Sequence, residues 1–568
     1  MKDFSNDVGT PALPAVDGLD PADVANWSPK RRGFLRALGA TGGLAAFGGL
    51  LSGCGSDGDG GFIPSANAQS RADLLRADLT RDQAFWDQVQ ARFVLNPGKR
   101  FMNVGTAGSM PREVIEKFNT DNVAYATESM SGYTNFLTQR TAIARGLGVA
   151  AGAAYDPEKG LGVDPDELVL SANTSDGMSH SILGIEWNRG DVVITTNMEH
   201  PGGDVPLSIA RDRYGIEIRR VTLPAGPTIT DQNFVDLFDQ AITAVRAEGK
   251  IVRAMMWSTP IFLTGTMVPI RPLVDLAIRR SAQTPDRPII TIVDGAHLPG
   301  MFALNYAALG MDFMAAAGHK WQCGPGSTGL LVIRNKVRAA ANPLPLPKYW
   351  PVVTSSYPQS GNIGATTVPW TQRTTTATES YDIGSVVSSI GSRHVPLLNG
   401  LTNACAIWDS IGRKKIETYI MTLADYLRER VANEFGPNAL YAPKANGPGV
   451  TLNSALTLIN PWEFGGGNGA RILRGPNTAQ NRSPYSLLLD AMTARGFVLR
   501  STTVPVLKAG QAPRLLSAAD SRTSNLSPAT LGIYDIHYPI RVSTHLWHDA
   551  ADVDALIDAL KAVVPTIA

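Results

Sequence analysis

Apolar and polar positions change their period along the chain, and the change divides it. Over residues 71–93, Leu74, Leu75, Leu79, Phe85, Val89 and Phe93 recur at helical intervals and predict one helix. A second helix is expected over 112–130. Between them, residues 100–111 form a glycine-punctuated loop, which either lines a substrate pocket or simply turns the chain. From Glu167 onward the pattern becomes short continuous apolar runs separated by helical stretches. Strands are expected over 167–172, 191–196, 251–258, 288–293, 313–317 and 329–333, with helices over 178–187 and 273–283. Such alternation predicts an α/β fold with a mostly parallel sheet flanked by helices. Near the end, Val553, Leu556, Ile557 and Leu560 mark an amphipathic C-terminal helix.

Two of the apolar runs end in chemistry. The run over 288–293 closes with Asp294-Gly-Ala-His297, and the run over 313–317 is followed by Gly318-His319-Lys320-Trp321. Parallel strands ending side by side would bring Asp294, His297 and Lys320 to one carboxyl edge, where α/β sheets bind ligands. A lysine there serves as an amine nucleophile if burial or nearby positive charge lowers its pKa. An aspartate can keep a heterocyclic nitrogen protonated. Together they describe the needs of pyridoxal 5'-phosphate (PLP): a Schiff-base lysine and an acid for the ring nitrogen. Asn173-Thr174-Ser175-Asp176-Gly177 lies where the first strand turns into its helix. It is either a phosphate site, using free amides and two hydroxyls, or plain N-capping. His200, in Met198-Glu199-His200, either lies flat against a bound ring or is an ordinary loop histidine.

Size and charge narrow the rest. A chain of 568 residues holds about two to four domains. Its 51 basic and 50 acidic residues give no charge that would draw nucleic acid. Cys54, Cys323 and Cys405 have neither metal-type spacing nor the makings of a disulfide framework. No metal site is expected. His545 and His548 lie three apart without a second ligand cluster, and a surface or interface role is expected for them.

Residues 30–36, Lys-Arg31-Arg32-Gly-Phe-Leu-Arg, resemble a twin-arginine export signal, and the apolar stretch behind them is too short and glycine-rich for a good membrane span. That stretch ends in Leu51-Ser-Gly-Cys54, which resembles a lipobox. Acylation of Cys54 would give a lipid-anchored lipoprotein, and cleavage after Ala68 a soluble periplasmic protein. The remaining alternative is a disordered basic tail. The expected organisation is an export signal (1–54), a flexible tether (55–72), an N-terminal helical segment (73–150), a large cofactor-binding domain (151–385) and a small C-terminal domain (386–568).

From about Asp82 to the C-terminus the sequence resembles fold-type I PLP enzymes of the class V aminotransferase superfamily, in the isopenicillin N epimerase-like branch. The marks are Thr-Ser-Asp-Gly (174–177), Met-Glu-His (198–200), Val-Asp-Gly-Ala-His (293–297), Gly-His-Lys-Trp (318–321) and Ile-Arg-Val-Ser-Thr-His-Leu (540–546). The resemblance implies an aspartate aminotransferase-like fold: a seven-stranded-type sheet in the large domain and a smaller C-terminal α+β domain. It implies that Lys320 holds the cofactor and moves the α-proton, Asp294 holds the ring nitrogen's proton, and His297 lies near the phenolic oxygen. It also places His200 on the ring, Thr174, Ser175 and His319 at the phosphate, and Arg541 at a substrate carboxylate. Ser385 would reach the phosphate of a neighbouring subunit in a homodimer. The implied activity is transamination or epimerisation at the α-carbon of an amino substrate, and the rival class is an exported, non-catalytic binding or scaffold protein. Three departures stand out. Ala317 replaces a frequent phosphate-binding serine, Ile261-Phe262-Leu263 replaces a polar element, and Pro505 stands where desulfurase relatives carry a nucleophilic cysteine. The last argues against a cysteine desulfurase.

Overall fold

The computed structural model describes residues 70–150, 153–355, 382–444, 452–462, 482–523 and 531–567. The export signal, Cys54, the tether and most of the 339–380 and 463–482 segments lie outside the described residues.

Four helices lead into the sheet: α1 (Arg71–Thr80), α2 (Gln83–Gln90), α3 (Arg112–Thr127) and α4 (Leu137–Arg145). The single helix expected over 71–93 is thus two. Asp82 takes a non-helical backbone and starts α2. Trp86 of α2 stacks on Tyr419 at 3.9 Å between ring centres.

The large sheet follows in chain order as β1 (Leu168–Ser171), α5 (Thr174–Gly184), β2 (Val192–Thr196), α6 (Pro201–Tyr214), β3 (Glu217–Val221), α7 (Asp231–Ala247), β4 (Val252–Ser258), α8 (Ile270–Ser281), β5 (Ile290–Asp294), β6 (Phe313–Ala317) and β7 (Gly329–Ile333). Its seven strands lie in the order β1-β7-β6-β5-β4-β2-β3, and only β7 runs against its neighbours. Alternate residues of one strand enter different cores: Met255, Ala316 and Leu330 on one face, Met256, Ala315 and Leu331 on the other. A sheet buried on both faces needs apolar residues at every position, which is why these strands read as continuous runs. β3 escaped that reading because it carries Arg219 and Arg220. Both are neutralised inside the fold, Arg219 by Glu248 (2.8 Å) and Arg220 by Asp204 (2.5 Å).

Beyond the sheet come α9 (Ile383–Ser388), α10 (Val395–Ile411), α11 (Arg413–Phe435), β8 (Leu456–Ile459) and α12 (Pro484–Ala494). They are followed by β9 (Arg500–Ser501), β10 (Val504–Leu507), β11 (Tyr534–His537), β12 (Ile540–Ser543) and α13 (Ala550–Val563). Strands β9, β12 and β8 form a small antiparallel sheet in that order. α13 buries Val553, Leu556, Ile557 and Leu560, the stripe its sequence advertises.

Candidate active site

Strand β5 ends at Asp294, and Lys320 follows the end of β6 by three residues, so both emerge at the carboxyl edge of the sheet. The Asp294 carboxyl is buried, and its Oδ1 accepts the Ala296 N–H (3.1 Å). Burial pushes its pKa up, against the charge of Lys320 and that one hydrogen bond. Burial likewise draws the Lys320 amine down to about 8; Asp294 opposes the shift, and Arg541 and Arg500 add to it. Trp321 Nε1–H donates to His297 Nδ1 at 3.0 Å, so the neutral ring of His297 carries its proton on Nε2. Burial and the surrounding cations hold that ring well below the usual histidine range.

The amino end of α5 meets the same edge. Gly177 presses the helix onto β6, where an added Cβ would stand 2.8 Å from that of Ala315. Asn173 does the capping, its Oδ1 accepting the Asp176 N–H (2.9 Å). That leaves the buried Thr174 Oγ1 with no hydrogen-bond partner among the described residues. Ser175 is exposed beside Gly202, the second residue of α6. His319 Nδ1–H donates to the Thr328 carbonyl (3.2 Å), which leaves its Nε2 available.

His200 caps α6, its Nδ1 accepting the Gly202 N–H (3.0 Å). Its ring stands edge-on to Phe262, 5.0 Å between centres. It is exposed to the crevice, yet enclosure and then Lys320, Arg500 and Arg541 bring its pKa down to about 4. Its neighbour Glu199 is buried behind Asp294 and accepts hydrogen bonds from the hydroxyls of Thr196 and Ser258. Burial pushes that carboxyl up to about 7, with Asp294 and Asp204 adding to the shift.

Arg541, on β12, is buried, and its Nη2 donates to Thr106 Oγ1 (2.8 Å) and Asn103 Oδ1 (3.2 Å). The glycine-punctuated loop therefore lines the site. Gly108 completes that contact: its N–H donates to the His319 carbonyl at 2.8 Å, and a Cβ there would lie 2.1 Å from the Lys320 carbonyl oxygen.

Two expectations are corrected. Ser385 is buried inside α9, and its neighbour Gly384 packs on the Leu168 carbonyl at the start of β1, the end of that strand opposite the crevice. Helix α9 is held there by the ion pair of Asp382 with Arg140 (2.7 Å), so Ser385 is buried away from this chain's own crevice rather than presented at a surface. His545 and His548 are core residues rather than surface ones. The Nε2 of His545 lies 3.0 Å from the Trp321 carbonyl, and the His548 Nδ1 accepts the His545 N–H at 3.0 Å. Sequence reasoning missed Trp321, Asn103, Thr106 and Arg500. Arg500 is brought to Arg541 only by the pairing of two short strands, which the sequence pattern does not reveal. No group of three or more His, Cys, Asp or Glu side chains among the described residues is placed to hold a metal.

Comparison with known proteins supports the class V branch of PLP enzymes. A family model described as aminotransferase class-V matches residues 151–348. The isopenicillin N epimerase of Streptomyces clavuligerus is 28% identical over 249 residues, 44% of this chain and 56% of that protein. A probable cysteine desulfurase of Methanothermobacter thermautotrophicus is 27% identical over 186 residues, 33% of this chain and 42% of that protein. The chain thus spans about half the length of these curated relatives. Among solved structures, a cysteine desulfurase from Thermococcus onnurineus superposes with a TM-score of 0.55 at 15% identity, covering 84% of this chain and 98% of that one. A mutant of the lyase C-DES with glycine linked to its PLP cofactor also superposes with a TM-score of 0.55, at 17% identity, covering 83% of this chain and 98% of that one. The fold is that of the fold-type I PLP enzymes.

Proposed function

We propose that this protein is a PLP-dependent enzyme acting at the α-carbon of an amino acid or a compound derived from one, by transamination or epimerisation. The observation that supports this most is the half-buried Lys320 and the buried Asp294, side by side at the carboxyl edge of β5 and β6 and acting on each other's charge. The donor set suits the cofactor. A half-buried amine with a lowered pKa suits its aldehyde, and a buried carboxyl with one hydrogen bond suits its ring nitrogen. An unpartnered Thr174 hydroxyl at a helix amino end suits its phosphate. The cofactor is pyridoxal 5'-phosphate, held by Lys320, Asp294, His297, His200, Thr174, Ser175 and His319.

When bound, PLP supplies an electron sink that makes a substrate Cα–H acidic. The rest belongs to the protein. Asp294 keeps the proton on the ring nitrogen, a charge that its buried carboxylate stabilises. His297, fixed by Trp321 with its proton on Nε2, offers a hydrogen bond rather than a charge. His200 and Phe262 wall the crevice. The Lys320 amine, drawn down to about 8, keeps a neutral fraction of roughly a tenth near pH 7, far above that of an ordinary lysine, and acts as the base that takes the Cα proton. Arg541 holds the substrate carboxylate, which its planar fork matches.

Reaction in deuterated water tests the reading. Solvent label at Cα with nitrogen retained marks an epimerase; a keto acid marks a transaminase; neither, from protein carrying PLP, marks the non-catalytic alternative. Cysteine desulfuration is the second reading, because desulfurases recur among the relatives. Against it, Pro505 lies within β10, and both described cysteines are buried, with the Cys405 thiol pushed up to about 11 and that of Cys323 well above its usual range.

The same proposal includes a homodimer and export by the twin-arginine machinery to the periplasm, with Cys54 as a lipid anchor or removed by cleavage after Ala68. An apolar exposed stretch, Val123 (70%), Met130 (75%) and Tyr133 (64%), supports a covered face.

A further inference from the structure

We propose that Arg500 and Arg541 form a double-anion site, so that the substrate carries a second acidic group, seated on Arg500, besides the carboxylate held by Arg541. The inference rests on the amino-substrate reading above.

Arg500 and Arg541 face each other across the β9–β12 pair. Like charges placed directly opposite on neighbouring strands weaken a sheet. Here they also share one acceptor: Thr106 Oγ1 receives Arg541 Nη2 at 2.8 Å and Arg500 Nη1 at 3.2 Å. Among the described residues neither guanidinium pairs with a carboxylate, and the buried Arg541 Nε has no partner at all. Among the described residues six of the other buried arginines, Arg140, Arg219, Arg220, Arg334, Arg413 and Arg428, each lie against an Asp or Glu. Arg253 shares the lack of a paired carboxylate and an unpartnered Nε, but it stands alone and donates to the Pro288 carbonyl, whereas Arg541 faces a second arginine.

Charge in the crevice is correspondingly unbalanced. Lys320 is influenced by both arginines, and Asp294 is the one acid acting on it. Asp294 is committed to the cofactor ring. A single substrate carboxylate satisfies one guanidinium and leaves the other, with most of its five N–H donors unused. Because one hydroxyl bridges both arginines, the two acidic groups on the ligand must sit a few bonds apart. The expected ligand class is therefore an amino dicarboxylate, or an amino acid bearing another short anionic arm.

The test titrates PLP-loaded protein with L-aspartate, L-glutamate and L-2-aminoadipate and with their side-chain amides, following the change in visible absorbance. At least one acid should bind about 10-fold or more tightly than its amide, as expected for a charge-assisted hydrogen bond. Arg500→Gln should close that gap, weakening the acid far more than its amide; Arg541→Gln should weaken acid and amide alike. Arg500 is exposed, so its replacement leaves the core intact. The inference is overturned if Arg500→Gln weakens acid and amide equally, which would mean that both arginines grip one carboxylate. It is also overturned if no acid is preferred. Protein that binds PLP but shows no preference defeats this inference alone; protein that binds no PLP defeats the proposed function as well.

Discussion

Single side chains decide what the crevice can do, and two of them are buried acids whose pKa values burial raises. Asp294 is a buried acid whose pKa is raised, so its ionised form weighs on the fold above the ordinary carboxyl range. Asp294→Asn removes that burden. The expected outcome is apoprotein at least as stable as wild type in thermal melts, with PLP affinity and turnover reduced roughly 100-fold or more. Glu199 makes the sign of the pH effect plain. Its folded pKa is raised from 4.5 to about 7, so the folded state holds the proton that the unfolded chain has released. Stability from this group is therefore full below about pH 4.5 and falls as pH rises to about 7. Glu199→Gln should flatten that stretch of the stability curve, as measured by urea denaturation across pH. Sequence pattern brought Asp294, His297 and Lys320 to one edge, because they follow the ends of two apolar runs, while Arg541 came only from the family resemblance. It could not supply the Trp321–His297 hydrogen bond or the sharing of Thr106, since these join residues far apart in the chain and depend on side-chain direction.

At the level of elements, the site depends on how closely segments approach. The loop carrying Asn103, Thr106 and Gly108 is pressed between the Lys320 backbone and Arg541, and Gly108 has no room for a side chain. Gly108→Ala should cost about 1–3 kcal/mol of stability through overpacking and should lower PLP affinity by displacing Lys320. A matched denaturation and PLP titration checks both. From sequence this loop read equally well as a pocket wall or a turn, since its glycines carry no sign of what lies opposite. The strands of the large sheet were legible because burial on both faces demands uninterrupted apolar residues. β3 was not, because Arg219 and Arg220 find their counter-charges only after folding. The break between α1 and α2 was hidden by an apolar spacing that continues smoothly across it.

Across the whole molecule, the two sheets divide the work. The large one fixes Asp294 and Lys320 at its carboxyl edge, and the small one contributes Arg500 and Arg541 on β9 and β12. A cofactor held as proposed would tie α5, β5 and β6 together, so loading apoprotein with PLP at 100 times its Kd should raise stability by about 2.7 kcal/mol. A thermal or urea melt with and without the vitamer measures it. The export proposal belongs to this scale too. Replacing Arg31 and Arg32 with lysine should leave the protein in the cytoplasm, still able to bind PLP, as judged by fractionation. Cys54→Ser should release it from membranes if that residue is acylated.

The most direct test of the account is covalent. PLP-loaded protein is reduced with borohydride, digested, and its peptides are weighed by mass spectrometry. The account predicts a pyridoxyl group on Lys320, loss of visible absorbance on reduction, and neither in Lys320→Ala. A colourless protein, or the modification on any other lysine, would contradict it.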